Sequence, residues 1–158
     1  MPLRTARHDI ALISALLTTA ETEARALGDS APGAEHLLLA SLLVDDASAR
    51  DASGVSADAV RAAISVVHVE SLGAIGVTHA ELDDSLPPGR GVYRSDVSAQ
   101  EVFQQARRLA RRSPRGLRSA HVLLAVAERE HGTAARVLTQ LGLQRASVVD
   151  AARKVLER

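Results

Sequence analysis

Two unbroken apolar runs dominate the hydrophobic pattern of the chain. Gly33-Ala34-Glu35-His36-Leu37-Leu38-Leu39-Ala40 is echoed by Arg118-Ser119-Ala120-His121-Val122-Leu123-Leu124-Ala125, 85 positions later. Each follows a turn signal, Ala31-Pro32-Gly33 in the first case and Ser113-Pro114-Arg115-Gly116 in the second. A run without polar alternation, longer than a typical strand, predicts a helix buried on most of its sides. Two such helices at the head of similar segments imply an internal duplication.

The remaining pattern supplies helices around this pair. Ile10, Ile13, Leu17, Ala20, Ala24 and Leu27 fall at steps of three and four, predicting one face of an amphipathic helix that Gly28 terminates. A second helix runs from about Ala34 to Val44, and a short third begins in Asp45-Asp46-Ala47-Ser48. After Gly54-Val55, Ser56 is placed to cap a fourth through Val60, Ala63, Ile64 and Val67. Thr78 and Glu81 have capping-box spacing, so residues 68–86 are expected to form a helical insertion. Pro87-Pro88-Gly89-Arg90-Gly91 is the one clear linker. The second half repeats the plan, with Ala99, Val102, Phe103, Ala106, Leu109 and Ala110 on one face. Then come the His121 helix, Ala134–Leu138 and Val148–Leu156. The expectation is eight or nine helices in one compact domain: repeat one about 5–67, insertion and linker about 68–95, repeat two about 96–158.

Composition sharpens this reading. Of 158 residues 46% are apolar but only 1% aromatic, so the core is built from Ala, Leu, Val and Ile, and the fold class is all-α. The absence of Cys excludes disulfides, thiolate nucleophiles and Cys-based metal sites. No stretch approaches the roughly 18 apolar residues of a membrane span, and the amino terminus lacks a signal-peptide core, so a soluble cytoplasmic protein is expected. Net charge is zero but polarised: residues 1–90 carry a balance of −7 and residues 91–158 one of +7. Such halves attract each other and, between molecules, allow head-to-tail self-assembly.

The order of these motifs resembles the Clp N-terminal domain, the double four-helix repeat that precedes the ATPase rings of ClpA, ClpB and ClpC unfoldases. Glu23-Ala24-Arg25-Ala26-Leu27-Gly28 and Gly33-Ala34-Glu35-His36-Leu37-Leu38-Leu39 are similar to the family's Glu-Ala-x-x-Leu-Gly and Gly-Thr-Glu-His-Leu-Leu-Leu. Gly132-Thr133-Ala134-Ala135-Arg136-Val137-Leu138-Thr139-Gln140-Leu141-Gly142-Leu143 is similar to the segment that follows in the family. Ala34 and Ala120 depart from the family's Thr and Glu, while Ser119 is expected to cap the second copy. The insertion resembles those of actinobacterial ClpC-like proteins, and the chain is expected to act without an ATPase. The resemblance implies two pseudo-symmetric Clp N-type repeats and a non-catalytic module that binds substrates, adaptors or peptides of a Clp chaperone–protease system, competing with full-length ClpC. It further implies that Glu35 helps hold phosphoarginine, by pairing its carboxylate with the guanidinium while free amides at the helix start take the phosphate. Tyr93, near the seam between repeats, corresponds to where cyclic peptide antibiotics dock. A favourable helix-start carboxylate and an ordinary surface tyrosine are the plainer readings of these two residues.

Other chemistry is sparse. Arg107, Arg108, Arg111 and Arg112 form a basic ridge at helical spacing that Arg115 and Arg118 extend. The ridge suits either sequence-independent phosphate contacts, making a nucleic-acid-associated domain the alternative, or a solvated face. His36 and His121 read as packed, hydrogen-bonded residues. With no His-Glu-x-x-His, and with His8, His68, His79 and His131 scattered, no metal and no cofactor is assigned. Lys154 is the only lysine, so no P-loop can be assembled; Gly-x-Ser-x-Gly is absent too, and no enzyme is expected.

Overall fold

The structure, a computed structural model, describes residues 3–76 and 95–158. The expected helix over 78–86, the linker at 87–91, and the residues His79 and Tyr93 lie outside them. Eight helices and no strand are present among the described residues: α1 Leu3–Ala26, α2 Ala34–Leu43, α3 Ser48–Ser53, α4 Ala57–Ala74, α5 Val97–Ala110, α6 Ser119–Ala127, α7 Thr133–Gln140 and α8 Arg145–Glu157. α4 continues past the expected boundary near 67, because no helix breaker occurs before Gly73 and Gly76, and Gly76 takes φ +78°.

α2 and α6 lie side by side at the centre, and every residue of α6 is buried. α1 covers α2, while α5 covers both α6 and α2. α8 packs on α6 of its own repeat, while other contacts cross between repeats: α3 rests on α6 and α8, and α4 on α7. Alanines such as Ala20, Ala40, Ala49, Ala106 and Ala152 are fully buried, the small contacts that let helix axes approach in a core lacking aromatics. Phe103 sits at the core's edge, partly buried.

α1 turns a face one position away from the expected one. Leu12, Leu16, Ala20 and Ala24 are buried, Ile13 and Leu27 border the core, and Ile10 is 66% exposed. The two stripes share Ala20 and Ala24, and contact with α2 selects the row of fourfold steps.

Helix ends follow local signals where these exist. Ser56 accepts from the Ala59 amide as the cap of α4, and Gly28 at φ +86° closes α1, the Asp29 amide donating to Ala24 O at 2.8 Å. Ser119 does not cap α6; Arg118 holds that place and Ser119 is the first helical residue. Its hydroxyl instead donates to Asp46 O at 2.8 Å and accepts from the Ala49 amide at 3.0 Å. The Ser48 hydroxyl accepts from the Ala120 amide at 2.9 Å, and the Asp46 carboxylate accepts from the Ser119 and Ser48 amides. A polar clasp thus ties the start of α3 to the start of α6.

Candidate functional site

The repeated histidines close the starts of α2 and α6. His36 Nδ1 accepts the Gly33 amide at 2.9 Å, and His121 Nδ1 accepts the Arg118 amide at 3.0 Å; each histidine's own amide returns a bond to that residue's carbonyl. This is a reciprocal cap with imidazole in the usual Glu or Gln position. It places the ring proton on Nε2 in both residues.

In the first repeat, Nε2 of His36 opens onto a cluster that the second repeat lacks. The tight end of α1 brings Asp29 to within 3.0 Å (Oδ2 to Nε2), while α4 contributes His68, whose Nδ1 is 3.5 Å from the same oxygen. Glu35, the second residue of α2, folds back so that Oε1 lies 3.8 Å from His68 Nε2 and 3.6 Å from His36 Nδ1. The fold-back requires Gly33: a Cβ there would stand 2.7 and 2.9 Å from the Glu35 oxygens and 2.8 Å from Asp96 Oδ2. The Glu35 side chain is 9% exposed, that of Asp29 33% and that of His68 24%, so the cluster is lined on the inside and reachable from one side.

Two polar atoms at its base are unpaired. Asp29 Oδ2 and His36 Nε2, 3.0 Å apart, are buried and have no hydrogen-bond partner among the described residues. The Glu35 carboxylate beside His68 holds that imidazole above the ordinary histidine value; burial opposes the shift and the Asp29 charge reinforces it. Two carboxylates converging on one imidazole make an arrangement suited to a cationic ligand.

The other residues singled out from the sequence stand elsewhere. Arg107, Arg108, Arg111, Arg112 and Arg115 are exposed and form no ion pair with a described residue. Arg118 leaves the ridge: it is part-buried, donating to Val155 O at 3.0 Å near the end of α8. Two of the amides expected to be free at the start of α2 are engaged, that of Gly33 by His36 and that of Ala34 by Ser98 Oγ at 2.9 Å. Asp29 and His68 were not foreseen, nor was their meeting with Glu35. The three come from separate elements, and no local spacing connects them.

A second surface feature is an open groove of about 930 Å³ among α4, α7 and α8, bordered by Val67, Glu70, Arg136, Gly142, Leu143 and Arg145. Arg136 bridges it, with Nη2 3.2 Å from Glu70 and Nη1 donating to Ser71 Oγ at 2.6 Å.

No protein-family model and no curated protein matches the chain. Among solved structures it is similar to the crystal structure of the N-terminal domain of the caseinolytic protease associated chaperone ClpD from Arabidopsis thaliana. The TM-score is 0.66 with 20% identity, over 91% of each chain. The chain therefore has the Clp N-terminal-domain fold expected from its repeats. No helix among the described residues is long and apolar enough to cross a membrane.

Proposed function

We propose that this chain is a non-catalytic binding module that takes up substrates or adaptors for a Clp chaperone–protease system. The observation that carries the reading is the double-repeat fold, matched across 91% of a Clp chaperone's N-terminal domain. The open groove between α4, α7 and α8 supports it, offering apolar floor and paired charges to a peptide. In its narrower form the module competes with a full-length ClpC for clients. Glu35 then contacts the guanidinium of phosphoarginine, and Tyr93 anchors cyclic peptides at the seam. Because the Gly33 and Ala34 amides are engaged, the guanidinium half of phosphoarginine is better served than the phosphate half.

The test is degradation of fluorescent casein by a ClpC-type unfoldase and its protease, with this chain in excess. Slower degradation that Tyr93→Ala relieves supports the competitive form. Unchanged degradation, with no direct binding to casein or to the protease's adaptor, overturns the reading. Phosphoarginine titration of wild type and Glu35→Ala addresses the narrower form; equal binding removes Glu35 from it.

The exposed arginine ridge on α5 favours a second reading, sequence-independent contact with nucleic acid. It requires DNA binding that weakens steeply with salt, and absence of binding at low salt removes it.

A further inference from the structure

We propose that Asp29, Glu35 and His68 form a binding site for a divalent transition-metal ion of the zinc type. The three donors come from the loop after α1, from α2 and from α4, and one ligand atom of each lies within 4.8 Å of the others. An ion bonded at zinc's usual lengths places its ligands roughly 3.4 Å apart. With one nitrogen of His68 as ligand the three donor atoms lie within 4.8 Å of one another, so small side-chain movements bring them to that spacing. One imidazole with two carboxylates is a recognised donor class for such an ion, with water completing the shell from the exposed side.

Two further observations point to a ligand. Asp29 Oδ2 and His36 Nε2 are buried and unpaired, and the His36 side chain is only 1% exposed. Leaving such groups unsatisfied is costly unless something else engages the carboxylate. His36 itself is not a ligand: Nδ1 accepts the Gly33 amide, so bonding a metal at Nε2 would require an imidazolate. Its Nε2–H stands instead behind Asp29, placed to orient that carboxylate once an ion draws it into line.

The second repeat is an internal control. Alignment on the helix caps, Gly33 with Arg118 and Ser56 with Gln144, puts Pro114, Ala120 and Leu156 at the positions of Asp29, Glu35 and His68. The capping histidine is present in both copies and all three donors in only one. The fold thus needs the histidine but not the cluster.

This inference does not rest on the client-binding reading, but a metal on Glu35 would take the carboxylate that the phosphoarginine form needs, so the two compete for that residue. The experiment is calorimetric titration of zinc into the chelator-treated full chain, with visible absorption of the cobalt-loaded protein. The expected result is one saturable zinc site and the absorption of low-coordinate cobalt with nitrogen and oxygen ligands. Asp29→Asn and His68→Leu should each weaken binding by more than about tenfold, larger losses being typical of direct ligands. Both variants are first checked by circular dichroism and melting without metal. If His68→Leu fails to fold, Asp29→Asn, isosteric and part-exposed, carries the test. Absence of saturable zinc binding by the wild type overturns the proposal, as does binding that is unchanged in a folded Asp29→Asn or His68→Leu protein.

Discussion

Small side chains at the helix starts have large consequences. Ser119 joins α6 to α3 by accepting one bond and donating its proton, so Ser119→Ala strands the Ala49 amide and Asp46 carbonyl in a largely buried place. The expected loss is about 1–3 kcal/mol of unfolding free energy in urea. Gly33 shows the opposite balance. An added Cβ meets only the mobile ends of Glu35 and Asp96, and alanine also narrows the unfolded ensemble, so Gly33→Ala should change stability by about 1 kcal/mol or less. The displaced Glu35 should nevertheless weaken zinc binding in the same titration used for the ligand variants. His121 carries a pH dependence. Burial pushes its imidazole below the ordinary histidine value, with the Arg118 charge adding to this and the Asp46 and Asp9 carboxylates opposing it. The unfolded chain therefore takes up its proton first, and stability falls as pH drops from about 6.5 through the lower folded value. His68, shifted upward, contributes fully below 6.5 and loses its contribution only as pH rises, so it does not mask this window. Burial would raise the Asp46 carboxyl, but bonds from the Ser119 and Ser48 amides and the Ser48 hydroxyl hold it below its usual value. Its contribution is lost only under stronger acid. Melting temperatures between pH 7 and 5 should thus fall for wild type and flatten in His121→Gln, which keeps a capping acceptor that does not titrate.

At the scale of elements, much was legible because much is local. Ser56, Gly28 and Gly54 mark helix ends by their own chemistry, and the runs after His36 and His121 could only be buried helices. The face of α1 was less legible, since two neighbouring stripes satisfy the same periodicity and only docking on α2 separates them. Two substitutions test the choice. Leu16→Ala, at a fully buried position, should cost roughly 2–5 kcal/mol. Ile10→Ala, on the stripe favoured by periodicity alone, should cost about 0.5 kcal/mol or less. Equal losses in urea unfolding would return Ile10 to the core. The cluster of Asp29, Glu35 and His68 was illegible for a different reason: three elements meet there, and the chain between Glu35 and His68 contains two complete helix boundaries. Only the duplication offered a clue, in the polar residues of repeat one that have apolar or proline counterparts in repeat two.

The whole molecule joins its repeats by exchange rather than by simple contact. α3 packs against α6 and α8, and α4 against α7, so the last two helices of each repeat reach into the other, α8 also packing on α6 of its own. The Asp46–Ser48–Ser119 clasp adds buried hydrogen bonds across the same divide. By contrast the cross-repeat ion pair of Arg136 with Glu70, with side chains 49% and 55% exposed, adds little in water. The polarised charge of the two halves therefore assists association without being what holds it. Separated fragments provide the test. A fragment of residues 1–76 lacks α6, α7 and α8, the chief partners of α3 and α4, and one of residues 95–158 lacks α4 and α3, leaving α7 without its main partner and α8 with α6 alone. Each exposes the apolar flank of its central helix. Neither should show a cooperative thermal transition alone, while an equimolar mixture should gain helical circular dichroism and melt as a unit, with a midpoint that rises with concentration. Association should persist at high salt, because buried apolar surface and the clasp are screened far less than exposed charges. A cooperative melt from either fragment alone would mean that each repeat carries its own core, and the crossing of α3 and α4 would then be a docking of finished units.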